Sequence, residues 1–144
     1  MKEKLIIMQK FYLDTNIWLD YFENRSDGLS PLGEFAFQFL KNCITFNCKI
    51  YYSNFILFEL KNKLSENDFF KNVDFIKENL VFIESTKDDW NKAQNLNENI
   101  TLHSADALHL ILAKNNDCIL ITRDKHFDFV DLIEIKKPEE VVFI

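Results

Sequence analysis

Glycine and proline are nearly missing, with two of each in 144 residues. So few turn formers exclude long flexible linkers and argue against an all-β fold rich in tight turns. Cysteine is scarce and odd in number: Cys43, Cys48 and Cys118 match no paired zinc spacing. They read as buried, reduced thiols of a cytoplasmic chain. No apolar run approaches the roughly 18 residues of a membrane span. The opening stretch MKEKLIIMQKFYL is too interrupted for a secretory signal. An excess of positive charge is also lacking. The formal net charge is −6, whereas nucleic-acid binders are usually basic because phosphate contacts dominate affinity. Either the chain has no nucleic-acid partner, or clustered acids hold cations that supply the positive charge locally.

Apolar residues are present in quantity, at 47% of the chain with 15 Phe. That is enough for one packed domain spanning residues 1–144. Short apolar runs alternate with helical patterns along it. Strands are expected at Lys10–Leu13, Lys49–Tyr52, Leu80–Glu84, Cys118–Ile121 and Leu132–Ile135, with a last short strand in the tail. Helices are expected at Ile17–Glu23, Pro31–Phe46, from Phe55 onward after a Ser53 or Asn54 cap, Asn67–Asn79, Lys87–Asn99 and Ala105–Lys114. Ser104 is well placed to cap the last of these. The alternation implies parallel pairing in a three-layer α/β/α sandwich of about five strands. In such sheets ligands bind outside the carboxyl ends of the strands.

Four acids stand where apolar runs end or turn. Asp14 follows Phe11-Tyr12-Leu13, Glu59 lies within Phe55–Leu60, Asp106 opens ADALHLILA, and Asp124 comes just after Cys118–Ile121. Each has an ordinary use: Asp14 as a helix cap, Glu59 on a solvated face, Asp106 as a helix-dipole acid, Asp124 as a turn former. All four together make that set of coincidences less economical. Carboxylates against apolar elements need partners. A hard divalent cation such as Mg²⁺ takes oxygen ligands and would relieve their repulsion. The pattern reads as a metal-dependent enzyme acting on phosphate.

The blocks DTNIWLDYF, SNFILFEL, DALHLILAK and ITRDKHF, in this order, resemble the four signature blocks of PIN-domain ribonucleases, closest in style to VapC-type toxins of toxin–antitoxin pairs. The resemblance covers nearly the whole chain. It implies a PIN-like fold and Mg²⁺- or Mn²⁺-dependent cleavage of RNA phosphodiesters, leaving 5′-phosphate products. It assigns catalysis to Asp14, Glu59, Asp106 and Asp124. Asp14, Asp106 and Asp124 would hold the metal and Glu59 would orient. Asn16 and Thr122 match supporting polar positions. It further implies a cognate antitoxin, a homodimer, a cytoplasmic location and no membrane.

The chain departs from the pattern in its acidity, in His103 ahead of Asp106, and in the loop Asn24–Ser30. Arg123 and Lys125 are the nearest basic candidates for substrate, with Lys61 and Lys63. His109 reads as a packing position, His126 as surface, and His103 as a helix-start residue. Trp18 and Tyr21 suit the core better than base stacking. The Phe-rich helices between Phe35 and Phe75 offer an apolar groove for an antitoxin, although core packing explains most of those rings. The alternatives to a toxin are a PIN nuclease for RNA processing or DNA without an antitoxin, and a non-enzymatic phosphate-receiver or binding domain. A receiver wants an Asp after the third strand, where this chain has Glu84-Ser85-Thr86.

Overall fold

The computed structural model describes residues 8–99 and 102–144. Residues 1–7, which carry most of the opening stretch weighed above as a signal, lie outside that range. The elements run β1 (Lys10–Leu13), α1 (Thr15–Phe22), α2 (Leu32–Thr45), β2 (Lys49–Ser53), α3 (Asn54–Leu60), α4 (Glu66–Asn72), β3 (Leu80–Ile83), α5 (Lys87–Asn99), α6 (Ser104–Asn115), β4 (Ile119–Ile121) and β5 (Ile135–Lys136). The strands form one parallel sheet in the order β3-β2-β1-β4-β5, within a three-layer α/β/α sandwich. Among the described residues, no helix is long and apolar enough to cross a membrane.

β1 is central because nothing in Phe11-Tyr12-Leu13 tolerates water; all three are at most 1% exposed. The chain first winds from β1 through β2 to β3. It then crosses back to lay β4 against the other edge of β1. The direction of winding therefore reverses at β1. In parallel sheets such a reversal opens a crevice at the carboxyl ends of the strands. The β1–β4 ladder continues one residue past β1, where Asp14 N donates to Ile121 O at 3.0 Å. The two strand ends are thus held level.

Local chemistry sets the rest. α3 is capped by Ser53, whose hydroxyl accepts from Ile56 N. The stretch expected as one helix over Asn67–Asn79 breaks at Val73 into α4 and a 3₁₀ turn, Asp74–Asn79. The buried Asn79 carboxamide donates to Cys43 O at 3.1 Å and to Cys48 O at 2.9 Å. Those bonds draw the segment onto the α2–β2 corner, and the tighter helix lets Ile76 and Asn79 both reach inward. The expected Ser104 cap is displaced by one residue: His103 occupies the cap without a side-chain bond, and Ser104 is already helical.

β5 begins at Ile135 rather than Leu132, because only Ile135 and Lys136 come into register with Leu120 and Ile121. Leu132 is 45% exposed. The last strand expected in the tail does not form. Instead Gln9 Nε2 donates to Val142 O and Gln9 Oε1 accepts from Ile144 N, while the Phe143 ring packs on Phe11, Phe39 and Phe46. Cys43, Cys48 and Cys118 are free and buried.

Gly33 opens α2 pressed against the loop after α1. A methyl there would stand 2.5 Å from Asn24 Cα and 2.7 Å from Asp20 O. Backbone cannot retreat as a side-chain tip can, so Gly33→Ala is expected to destabilise the fold by about 1–3 kcal/mol. Urea unfolding of the two proteins checks this, and equal midpoints would contradict it.

Candidate active site

Asp14 leaves β1 as the N-cap of α1 and is 6% exposed. Its two oxygens are occupied separately. Oδ1 accepts from Asn16 N at 3.3 Å and Oδ2 from the Thr122 hydroxyl at 2.7 Å. The same hydroxyl accepts from Asp124 N at 3.1 Å. Thr122 therefore links the acid after β1 to the acid after β4, and the link exists because the two strands end level. Asp124 in turn caps a 3₁₀ turn, Lys125–Phe127, through His126 N. Asn16 contributes only its backbone N–H to Asp14. Its side chain is exposed and accepts from Arg25 at 3.5 Å.

Asp106, in the first turn of α6, faces this pair. Burial pushes its carboxyl above the usual range, and the charges of Asp124 and Asp14 push the same way. That repulsion adds to the burial, and the neighbouring His109 and His126 offset it only in part. Ligand atoms of Asp106, Asp124 and His126 lie within 4.8 Å of one another. Asp14 stands outside this tight set, although its charge reaches Asp106. His126, read from the sequence as a surface residue, places Nδ1 2.8 Å from Asp124 Oδ1 and 4.0 Å from Asp106 Oδ2.

Glu59 joins the crevice from α3 through other residues. Its Oε1 accepts from the Thr15 hydroxyl and lies 2.6 Å from His109 Nε2. His109 is 2% exposed, so it does pack in the core, but it also carries polar bonds that the sequence reading did not anticipate. Its Nδ1 lies 2.9 Å from the Tyr12 hydroxyl, which lies 2.9 Å from Ser53 Oγ. One consistent set of donors satisfies every atom. Ile56 N–H donates to Ser53, Ser53 to Tyr12, Tyr12 to Nδ1, and Nε2–H to Glu59. The chain starts at the N-cap of α3 and returns to the same helix at Glu59, having passed through β1 and α6. Burial is the largest single influence and opposes ionisation of Glu59, but the bond and charge of His109 together with the Thr15 bond outweigh it and hold the carboxyl below the ordinary range. Tyr12, Ser53, Thr15 and His109 were missed because they act across elements. Their signal was a polar group inside an apolar run, which must find a partner when buried.

The two basic residues proposed for substrate sit differently. Lys125 is exposed. Arg123 forms two bonds to Glu139, at 2.8 and 2.6 Å, and its Nε lies 3.7 Å from the buried Asp20. Its guanidinium also stands over the Phe35 ring. Those partners tie α1 and α2 to the C-terminal turn Pro138–Glu140. His103 is exposed, its ring 5.9 Å from that of His126.

Because the folded-state value of Glu59 is depressed, its contribution to stability is full above the ordinary carboxylate range. It is lost as pH falls through the lower folded value. Urea unfolding from neutral pH down through that range should show wild type losing more stability than Glu59→Gln. Parallel pH curves would contradict the His109–Glu59 bond.

The chain matches the PIN domain family over residues 11–132. A search of curated proteins finds no match. Among solved structures it resembles VapBC2 from Rickettsia felis bound to a DNA fragment from its promoter. The TM-score is 0.66 at 15% identity, covering 90% of this chain and 98% of that one. It also resembles a toxin–antitoxin complex from Klebsiella pneumoniae, with a TM-score of 0.62 at 20% identity over 85% and 93%. FitAcB from Neisseria gonorrhoeae gives 0.61 at 14% identity over 91% and 99%. With the family match running over residues 11–132, from β1 through β4 and most of the chain, the chain belongs to the PIN domain family.

Proposed function

We propose that this protein is a divalent-metal-dependent endoribonuclease, the toxin of a toxin–antitoxin pair. The observation that supports the reading is the pair Asp106 and Asp124, whose ligand atoms lie within 4.8 Å of each other, with Asp14 tied to the same strand end through Thr122 at the switch point of the sheet. The donor set fits a hard cation: carboxylate oxygens, partly buried, with Asp106 unfavourably ionised beside its neighbours. Asp106 and Asp124 would hold the ion directly, and Asp14 would join them on its Thr122 tether. A bound divalent cation supplies positive charge opposite the scissile phosphate and makes water at the site more acidic.

The protein's own residues do the positioning. Thr122 holds Asp14 and Asp124 in one geometry, so little reorganisation remains when the substrate arrives. Glu59, kept ionised by His109 and Thr15, is an acceptor for a water proton or a second cation. Lys125, on the exposed turn beside Asp124, is the nearer cation for a substrate phosphate, since Arg123 is engaged by Glu139 and Asp20.

The toxin assignment draws on the likeness to toxin–antitoxin complexes and on an apolar surface left uncovered. Phe58, Phe70 and Phe82 are 58%, 40% and 48% exposed. With Tyr52 and Leu57 they line a groove of about 570 Å³. Such a groove takes an apolar face of a partner chain, and an antitoxin is the occupant that the toxin reading implies.

Purified protein should cleave a panel of single-stranded RNAs when Mg²⁺ or Mn²⁺ is present and stop on adding EDTA. Asp106→Asn should lower the rate by at least about 100-fold, since the charge it removes acts on the transition state. Its expression should also relieve the growth arrest caused by wild type. Cleavage indifferent to metal, or an unimpaired Asp106→Asn, would sink the nuclease. An active enzyme without effect on growth would leave the processing nuclease in its place.

A further inference from the structure

We infer that His126 contributes an imidazole nitrogen to the acid site, so that the site takes a first-row transition ion such as Mn²⁺ in preference to Mg²⁺. The inference rests on the metal-dependent reading above and specifies its cation. His126 Nδ1 is the ring atom that faces both carboxylates, at 2.8 Å from Asp124 Oδ1 and 4.0 Å from Asp106 Oδ2. For an ion about 2.1 Å from each donor, adjacent ligands stand about 3 Å apart and opposite ligands about 4.2 Å apart. The two distances from His126 match that spacing, and all three ligand atoms lie within 4.8 Å of one another.

The placement is built by the fold. Asp124 Oδ1 accepts from His126 N at 2.9 Å, which fixes the 3₁₀ turn and returns the imidazole over the carboxylate that caps it. The His103 ring, at the cap of α6 just ahead of Asp106, meets the His126 ring edge-on at 90° with centroids 5.9 Å apart. An all-oxygen site suits Mg²⁺, whereas imidazole favours the transition ions. The alternative use of the same ring is as a donor to Asp124, a cationic partner that a metal would displace.

Bound Mn²⁺ distinguishes the two. The full chain is titrated with Mn²⁺ and followed by electron paramagnetic resonance, with Mg²⁺ as competitor. In the spin-echo modulation of bound Mn²⁺, wild type should show a directly coordinated nitrogen and His126→Ala should not. The Mn²⁺-to-Mg²⁺ affinity ratio should fall at least about tenfold in the variant. His126 is 61% exposed, so its removal spares the core, and matching melting temperatures check that. A missing nitrogen signal in wild type, its persistence in His126→Ala, or an unchanged ratio overturns the inference. Asp106→Asn separates the two levels. If it binds Mn²⁺ as wild type does, the acid site is not the cation site and the functional reading falls with it. If it loses Mn²⁺ while His126→Ala binds normally, only the histidine assignment is wrong.

Discussion

The pairing of β1 with β4 is the constraint on which the rest of the crevice depends. The two strands lie at opposite ends of the sequence, β1 ending at Leu13 and β4 beginning at Ile119, yet Asp14 N still bonds Ile121 O at 3.0 Å where the ladder ends. That bond sets Asp14 and Thr122 opposite each other, and Thr122 then ties both Asp14 and Asp124. A slip of one residue in this register would turn every side chain of β4 to the other face. Leu120 and Ile121, both buried on opposite faces of the sheet, would each meet packing shaped for the other, so the core that stabilises the sheet also guards the alignment of the acids. Stability and site geometry are here a single specification.

The second acid group is held by a different logic. Glu59 is reached through Thr15 and His109, and His109 through Tyr12 and Ser53. These side chains belong to β1, α1, β2, α3 and α6. A buried polar chain of this kind is costly when one member is unpaired and stabilising when all are paired. It therefore fixes how those elements meet more sharply than apolar packing does, because a hydrogen bond fails with a small displacement while a contact between methyl groups tolerates it. The large aromatic cluster around Trp18, Tyr52 and Phe69 supplies area; the polar chain supplies orientation.

How much of this is legible in the sequence follows from whether a feature is local. Strand positions and the parallel architecture were readable, because apolar runs ending in polar residues are a local signal. The four acids were readable for the same reason, since each sits at the end or the face of such a run. Boundaries failed where a distant partner decides them. β5 starts at Ile135 because of its register with β4, and the helix after Asn67 breaks because Asn79 bonds Cys43 O and Cys48 O across space. The side chains around the acids were harder still. Tyr12 and His109 look like core residues and are core residues; only the fold shows that their polar atoms face one another. His126 looked exposed and is exposed, but the turn capped by Asp124 aims its Nδ1 back at the acids.

Charge closes the reasoning. A chain of net charge −6 that binds a polyanion must concentrate positive potential where the phosphate lies. Arg123, just ahead of Asp124, cannot do it, because its two arms grip Glu139 and its Nε faces Asp20. Its role is to help neutralise the buried Asp20 and to lock the C-terminal turn. On the proposed reading, the cation among Asp106, Asp124 and His126 then becomes the principal positive charge in the crevice, with Lys125 at its rim. Affinity for RNA would in that case be coupled to cation occupancy rather than to surface lysines. On that reading, the acidity that looked like an argument against a nucleic-acid partner would be the means by which binding and chemistry depend on the same ion.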